Sequence, residues 1–133
     1  MFPFKLYENS KYWVPPIISE EMKVFNPNKN PILKDAKIKL FLTIKNNKIV
    51  GRIAGIINKI EVNEQKTKKM RFGWFDFIDD YSVSSGLISK VTEIGIKNNL
   101  DFVEGPVGFS NLDKVGVLTH GFDQIGTMIS WYN

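Results

Sequence analysis

The stretch that decides the fold is residues 49–57, which read IVGRIAGII. Branched aliphatic residues dominate this run, and they favour a β-strand that packs against a core. Gly51 and Gly55 interrupt the run and indicate a bulge or a close approach of another backbone. We therefore expect a central strand here, with its neighbours in the flanking segments.

Both flanking segments also read as strands. Before the central strand, aliphatic residues recur at every second position, which is the period of a half-buried strand. These residues are Ile38, Leu40, Leu42 and Ile44. Asn46 and Asn47 tolerate the left-handed backbone of a hairpin turn. Residues 70–78 (MRFGWFDFI) follow a charged loop, so the sequence predicts an antiparallel three-strand meander.

Helical patterns lie on both sides of the meander. Residues 15–25 begin with two prolines, which are tolerated in a first helical turn, and continue with one apolar and one acidic side. A longer helix is expected between Asp80, an N-cap candidate, and Asn98. Residues 101–104 read as a short strand. A strand, a helix and a strand in this order imply a right-handed crossover between parallel neighbours.

The last part of the chain predicts one more helix. Ser110 and Asp113 have the spacing of a capping box, so a short helix is expected to run to about His120, with Gly121 as its C-cap. A last apolar stretch follows at residues 128–132.

This order of elements resembles that of the GNAT superfamily of acyl-CoA N-acyltransferases. Residues 48–54 (KIVGRIA) resemble its hairpin motif, and residues 71–76 (RFGWFD) resemble its central strand. Gly121 and Phe122 resemble the pair that follows its later helix. The blocks YWVPP (12–16), FGWFD (72–76) and GPVGF (105–109) also resemble the N-terminal part of longer, uncharacterised bacterial GNAT-like proteins.

The resemblance implies a mixed α/β (α+β) fold in a single domain, residues 1–133. In that fold the antiparallel meander is followed by a helix, a parallel strand and a short helix. The superfamily would add another strand where this chain stops, so we expect the domain to be about one strand short. A partner copy that supplied the strand would form a homodimer.

The resemblance also implies a ligand site where the third meander strand and the later parallel strand separate. Acetyl-CoA or another acyl-CoA would lie in this gap, and a small-molecule amine would be the acceptor. The implied cofactor-binding residues are Phe77, Ile78, Ser84, Ser85, Gly86 and Asn111. Residues 105–111 (GPVGFSN) form a glycine-rich loop before the expected short helix. Such a loop is either a backbone cradle for a ligand or simply a tight connection. Its implied substrate-binding residues are Gly105, Gly108 and Ser110.

Two residues are candidates for proton transfer. Asp76 lies where many GNAT enzymes carry the carboxylate that takes a proton from the amine; the alternative is that it only pairs with Arg71 or Arg52. No tyrosine lies between residues 111 and 120, so His120 is the candidate acid for the leaving thiolate. Its alternative role is that of a helix C-cap.

Two functions stay open from the sequence. The GNAT pyrophosphate loop has the form Q/R-x-x-G-x-G/A, whereas residues 79–86 read DDYSVSSG, with one glycine and two carboxylates. A like charge beside a pyrophosphate is unfavourable. The first function, which the resemblance implies, is transfer of an acyl group from acyl-CoA to an amine. Because residues 79–86 depart from the family's pyrophosphate loop, the alternative is a non-catalytic GNAT-like module that binds a partner or dimerises.

Composition excludes several other classes. The 133 residues contain no cysteine and a single histidine, so we expect no disulfide and no metal site. We find neither a signal peptide pattern nor an apolar run of roughly 20 residues, and a cytoplasmic protein with no membrane partner is expected. The net charge is +4. Basic residues cluster at 59–71, but Glu61 and Glu64 interrupt them, so we expect a solvated loop and no nucleic-acid binding.

Overall fold

The computed structural model describes residues 1–125. Three helices, four strands and two single helical turns make up this part of the chain. In chain order they are α1 (Phe2–Leu6), α2 (Ile18–Val24), a 3-10 turn (Pro31–Lys34), β1 (Ala36–Lys45), β2 (Lys48–Asn58), a π-helical turn (Ile60–Glu64), β3 (Lys69–Phe77), α3 (Tyr81–Lys97) and β4 (Phe102–Glu104). The predicted apolar stretch 128–132 and the end of the chain lie outside the described residues.

The strands form one sheet in the order β1-β2-β3-β4. β1 pairs antiparallel with β2, and β2 pairs antiparallel with β3, which confirms the predicted meander. Asn46 and Asn47 both adopt positive φ angles, of 51° and 58°, and close the first hairpin as expected.

The predicted parallel pairing of two strands joined by a helix is also confirmed. α3 connects β3 to β4, and β4 pairs parallel with β3 over three residues, from Lys69↔Phe102 to Arg71↔Glu104. β3 continues beyond this pairing to Phe77. Its register against β2 shifts between Arg52 and Ala54, and Trp74 there has a φ of 49°, so a β-bulge bends the strand.

The core has two parts, one on each face of the sheet. α3 packs Val83, Leu87 and Val91 against one face, where Ile53 and Met70 are also buried. The other face carries a smaller cluster centred on Trp74 and Phe109, which α2 and the 3-10 turn partly cover. Burial of these apolar side chains is the main stabilising contribution, since each fully buried one adds about 2 kcal/mol.

One prediction about β1 is wrong. Its aliphatic row was expected to be the buried side, yet Leu40, Leu42 and Ile44 are 59%, 57% and 66% exposed. Phe41, on the opposite face, packs against the α3 side of the core instead. The reason is that β1 is the edge strand of the described sheet, and the helices on its aliphatic face cover only the end near Ile38.

The predicted short helix from Ser110 to His120 is also absent; this segment consists of turns and bends. The loop closes on Asp113, whose backbone oxygen accepts a hydrogen bond from the Gly108 amide and whose carboxylate accepts one from the Phe109 amide. Lys114 and Gly116 then take positive φ angles, of 47° and 82°. These turns are incompatible with a helix through the same residues.

The charged segment 59–71 is not simply a solvated loop. It contains the π-helical turn, which places the Glu61 side chain inside the protein with 8% exposure. Arg71, on β3, is buried with it at 3% exposure. The segment that the sequence predicts to be a solvated loop therefore contains a buried ion pair between Glu61 and Arg71.

Candidate functional site

A polar cluster surrounds the carboxylate of Asp76, which is only 8% exposed. Tyr7 donates a hydrogen bond from its hydroxyl to Oδ1 over 3.0 Å. Arg52 donates from Nε to Oδ2 over 2.6 Å. Both carboxylate oxygens therefore have a protein donor, and of the two arginines considered as partners it is Arg52 that binds Asp76.

The fold brings these three residues together from separate elements. Arg52 and Asp76 are direct cross-strand partners on β2 and β3, next to the bulge at Trp74. Tyr7 follows the last turn of α1. Its ring lies 5.1 Å from that of Trp13, and Phe4 makes an edge contact with the same indole at 5.2 Å. Aromatic packing thus fixes the position of the hydroxyl.

This environment raises the pKa of Tyr7. Burial of the phenol is the largest cause, and the nearby negative charge and hydrogen bond of Asp76 add to it, while the positive charge of Arg52 opposes it. Tyr7 therefore keeps its proton at neutral pH and directs it toward Asp76. The hydroxyl oxygen can still accept a hydrogen bond from a ligand.

A second charged cluster lies on β3, centred on Arg71. Its Nε and Nη2 donate to the two carboxylate oxygens of Glu61, and Nη2 also donates to Oδ1 of Asn111 over 2.7 Å. Lys69 approaches Glu61 at 3.4 Å and Glu104 at 2.9 Å. Arg71 thereby ties the π-helical turn and the loop after β4 to the same strand.

The protonation of this second cluster follows from its geometry. Burial opposes ionisation of Glu61, but the hydrogen bonds and positive charge of Arg71, with help from Lys69, outweigh it and lower the pKa of Glu61. Hydrogen bonding to Glu61 raises the pKa of Arg71, and burial opposes this. Both groups are charged at neutral pH. Nη1 of Arg71 is buried without a hydrogen bond; it lies 3.8 Å from Oε2 of Glu104, the oxygen that pairs with Lys69 at 2.9 Å.

The glycine-rich loop after β4 lies directly against β3. The Val107 amide donates to the Phe72 carbonyl oxygen over 2.7 Å, so this loop crosses β3 just beyond the β4 pairing. Gly73 permits the contact, because a Cβ there would lie 2.6 Å from the Val107 carbonyl oxygen. The Gly105–Pro106 peptide bond is cis. Gly105 is exposed and Gly108 is buried.

The continuation of this loop is held by a cluster around Trp74. Glu21 on α2 accepts a hydrogen bond from the Trp74 indole at 3.1 Å and another from Lys114 at 2.6 Å. The Lys114 ammonium also lies 5.1 Å from the centre of the indole ring. Residues 105–116 are therefore anchored to the sheet by packing, by Arg71 and by Lys114.

The N-terminus of α3, where the resemblance places a pyrophosphate, already has an anionic group. Asp80 is the N-cap, and its carboxylate accepts hydrogen bonds from the amide and hydroxyl of Ser82. Lys45 lies 2.8 Å from the same carboxylate. These hydrogen bonds, that from Lys45 foremost, lower the pKa of Asp80 to about 2. The residues present at this helix end do not fit a pyrophosphate.

The other implied cofactor residues are spread along β3 and α3. Ser84 and Ser85 turn their hydroxyls back to carbonyl oxygens of the preceding helical turn. Gly86 is exposed, and nothing lies within 4 Å of where its Cβ would be. Phe77 pairs with Gly51, and the Ile78 amide donates to Val50, so both continue the sheet. Asn111 and Ser110 belong instead to the loop, with Asn111 bound to Arg71.

His120 does not join the Asp76 cluster. It is exposed and makes no hydrogen bond or ion pair with any part of the chain up to residue 125. Tyr7 was not among the candidate site residues inferred from the sequence. Arg52 was visible only as one of two possible partners of Asp76. No local pattern marks Tyr7, because its partner lies 69 positions away.

The described residues contain neither a candidate metal site nor a membrane-spanning helix. Among residues 1–125, no group of three or more carboxylate or histidine side chains could hold a metal ion. Within the same range, no helix combines the length and the apolar character needed to cross a membrane.

The sequence is similar to part of two curated proteins. It is 28% identical over 124 residues to a bacterial ceramide synthase of Caulobacter vibrioides, an alignment that covers 91% of this chain and 32% of that protein. It is 27% identical over 125 residues to protein YghO of Escherichia coli, covering 92% of this chain and 31% of that protein. The chain thus spans about a third of the length of the curated relatives it matches. No protein-family model matches the sequence.

A solved structure shares the architecture. The crystal structure of the aminoglycoside acetyltransferase meta-AAC0020, from an uncultured soil metagenomic sample and in complex with sisomicin, superposes with a TM-score of 0.50. The match covers 76% of this chain and 64% of that chain, at 16% sequence identity. At this identity the likeness concerns the fold alone. The described chain therefore has a GNAT-like fold, with a four-stranded mixed sheet in which β3 and β4 are parallel.

Proposed function

We propose that this chain is a GNAT-like N-acyltransferase domain that transfers an acyl group from a thioester to an amine. The observation that carries the proposal is the buried Asp76 carboxylate, hydrogen-bonded to Tyr7 and Arg52 beside the bulge of β3. Bulges of this kind are frequent next to active sites. The partial match to a bacterial ceramide synthase supports the same chemistry, since a ceramide is an N-acylated amine.

In this proposal Asp76 accepts the proton that the amine loses. The amine nitrogen attacks the thioester carbonyl carbon, the carbon–nitrogen bond forms, and the carbon–sulfur bond breaks. The amine proton passes to Asp76 directly, or to the oxygen of Tyr7 while Tyr7 passes its own hydrogen to Asp76. The leaving thiolate takes a proton from solvent. A positioned base of this type accelerates a reaction by about 10²–10⁴-fold.

Arg52 has a positioning role in the same proposal. Its Nε holds one carboxylate oxygen at 2.6 Å, which fixes the plane of the carboxylate relative to Tyr7. Substitution of Arg52 would release the carboxylate from that orientation. Gly105, Gly108 and Ser110 are proposed to contact the acceptor through the loop that crosses β3 at Phe72.

Acyl-CoA is the first donor to test, although the N-terminus of α3 does not fit its pyrophosphate. Acetyl-CoA, octanoyl-CoA and palmitoyl-CoA would each be incubated with a panel of primary amines, and amide products would be detected by mass spectrometry. We expect an amide product that depends on protein and is lost in Asp76→Asn. Absence of product with every donor and amine would refute the proposal.

A second candidate function is a non-catalytic module that binds a partner. The observation that favours it is the Asp80 carboxylate, which accepts a hydrogen bond from the Ser82 amide and pairs with Lys45 at the N-terminus of α3. This negative charge disfavours binding of the acyl-CoA pyrophosphate at the same helix end. Light scattering and thermal melting discriminate the two functions. A melting temperature that acyl-CoA does not change, in a protein that forms a stable assembly, would favour the module. A rise in melting temperature with acyl-CoA would favour the enzyme.

A further inference from the structure

The outer edge of β1 has two chemically different sides. β1 is ten residues long and forms one end of the sheet in the described part of the chain. A strand at a sheet edge presents backbone N–H and C=O groups that can pair with another chain. A long edge with apolar side chains is a typical place for such pairing, so its side chains indicate what the partner is.

One side of β1 is aliphatic. Leu40, Leu42 and Ile44 are each more than half exposed, as described above. Leu42 is the cross-strand partner of Arg52 on β2, and Leu40 is that of Ala54. A partner strand paired with the outer edge of β1 would place every second side chain over this row.

The other side of β1 is a basic groove between β1 and α3, with a volume of about 960 Å³. We call this the β1–α3 groove. Its floor contains Phe41, Leu87 and Ile94, and Leu42 and Ile44 also border it. Its charged lining residues are Lys37 and Lys39 from β1, and Lys90, Glu93 and Lys97 from α3.

Most of the positive charge in the β1–α3 groove is uncompensated. Lys90 pairs with Glu93 at 3.0 Å. Lys37 donates to the neutral amide oxygen of Asn98. Lys37, Lys39 and Lys97 have no carboxylate partner within residues 1–125. Lysines on an edge strand repel another basic edge, but they attract an acidic one.

We propose that β1 pairs with an extended segment of a partner protein whose side chains alternate between acidic and aliphatic residues. The acidic side chains enter the β1–α3 groove and meet Lys37, Lys39 and Lys97. The aliphatic side chains cover Leu40 and Leu42 on the opposite side. Backbone hydrogen bonds along β1 supply affinity, and the alternation supplies specificity.

Charge disfavours pairing of β1 with the β1 strand of a second copy of this chain. Pairing of β1 with the β1 of a second copy would bring two sets of lysines together at the same edge. Like charges directly opposite each other in a sheet are destabilising. The occupant is therefore of opposite charge, whether or not the domain catalyses acyl transfer.

The test uses a fluorescently labelled ten-residue peptide that alternates glutamate and valine, and a control peptide that alternates lysine and valine. We expect the acidic peptide to bind, the basic peptide to bind at least roughly tenfold more weakly, and added salt to weaken the acidic complex. Hydrogen exchange should show new protection of β1 amides on binding. A third peptide, in which proline replaces the central valine, should bind less well because proline cannot donate to the ladder.

Charge reversal supplies the matched variants. Lys37→Glu/Lys39→Glu should lower affinity for the acidic peptide at least roughly tenfold and raise it for the basic one. Lys29→Glu/Lys68→Glu changes net charge equally at exposed positions outside the groove and should have little effect. Three results would each overturn the proposal: no binding of the acidic peptide, protection of amides elsewhere than β1, or a protein dimer whose β1 amides are already protected.

Discussion

The hydroxyl of Tyr7 lies 3.0 Å from Oδ1 of Asp76, although 69 positions separate the two residues in the chain. Through this contact the short N-terminal helix completes a polar cluster on the central sheet. The same carboxylate binds Arg52 through its other oxygen. The N-terminal segment is therefore part of the candidate site and not only a cover for the core.

Tyr7→Phe is expected to lower the free energy of unfolding by about 1.5 kcal/mol near neutral pH, because it removes a hydrogen bond to a charged group. The pKa of Tyr7 is raised in the folded protein from its ordinary value of 10. Above pH 10 the unfolded chain therefore loses the Tyr7 proton first, and the stability that this tyrosine contributes falls as the pH rises. Urea denaturation near neutral pH and above pH 10 measures both effects.

Tyr81→Phe is the control for this experiment, since Tyr81 is 85% exposed. It should leave the stability near neutral pH unchanged. Equal behaviour of the two phenylalanine variants would mean that the Tyr7–Asp76 contact contributes nothing.

Removal of one partner from the buried Arg71–Glu61 pair should be more damaging than removal of both. Arg71→Leu leaves Glu61 in a buried position with only Lys69 nearby, and it should cost about 3 kcal/mol or more. Glu61→Leu should also destabilise the protein. The double variant should be more stable than the sum of the two single effects predicts. Chemical denaturation of all four proteins gives the coupling energy, and simple additivity would contradict the contact.

Two glycines should respond in opposite ways to alanine. Gly73→Ala places a methyl group against the Val107 backbone and should destabilise the protein by about 1–3 kcal/mol. Gly86→Ala, in α3, meets no atom within 4 Å and should stabilise it by about 0.5–1 kcal/mol. Thermal melting compares them directly. A neutral Gly73→Ala would show that the loop does not lie against β3.

Asp80 should make the stability of α3 sensitive to acid. Its pKa is about 2 in the folded protein, below the ordinary value of 3.8. The contribution of Asp80 is therefore complete above about pH 4 and is lost as the pH falls toward 2. Asp80→Asn retains an N-cap without the charge, so its acid unfolding curve should lack this contribution. Identical acid transitions in the two proteins would contradict the prediction.

Local patterns sufficed to predict the framework of the fold. Neighbouring residues specify four features that the structure contains: the strand with alternation around Leu40, the strand 49–57, the turn at the paired asparagines and the helix cap at Asp80. The parallel pairing of β3 with β4 followed from chain order, because a helix between two short strands brings them side by side.

The parts that sequence reasoning missed depend on distant contacts. The exposed side of β1 is decided by which elements cover each face of the sheet, and alternation alone does not specify that. Ser110 and Asp113 have helix-start spacing, but Asp113 binds back to Gly108 and Phe109 instead. Arg71 and Glu61 are hydrophilic in sequence and buried in the structure because each neutralises the other.

The most direct test of the proposed function compares amide formation by the wild type and Asp76→Asn, with an acyl thioester and an amine that the wild type accepts. Asparagine keeps the shape of the side chain and can still accept a hydrogen bond from Tyr7, but it cannot take a proton from the amine. Circular dichroism would confirm that the variant is folded. We predict a rate at least about 100-fold lower in Asp76→Asn. Equal rates in the two proteins would contradict the assignment of Asp76 as the base.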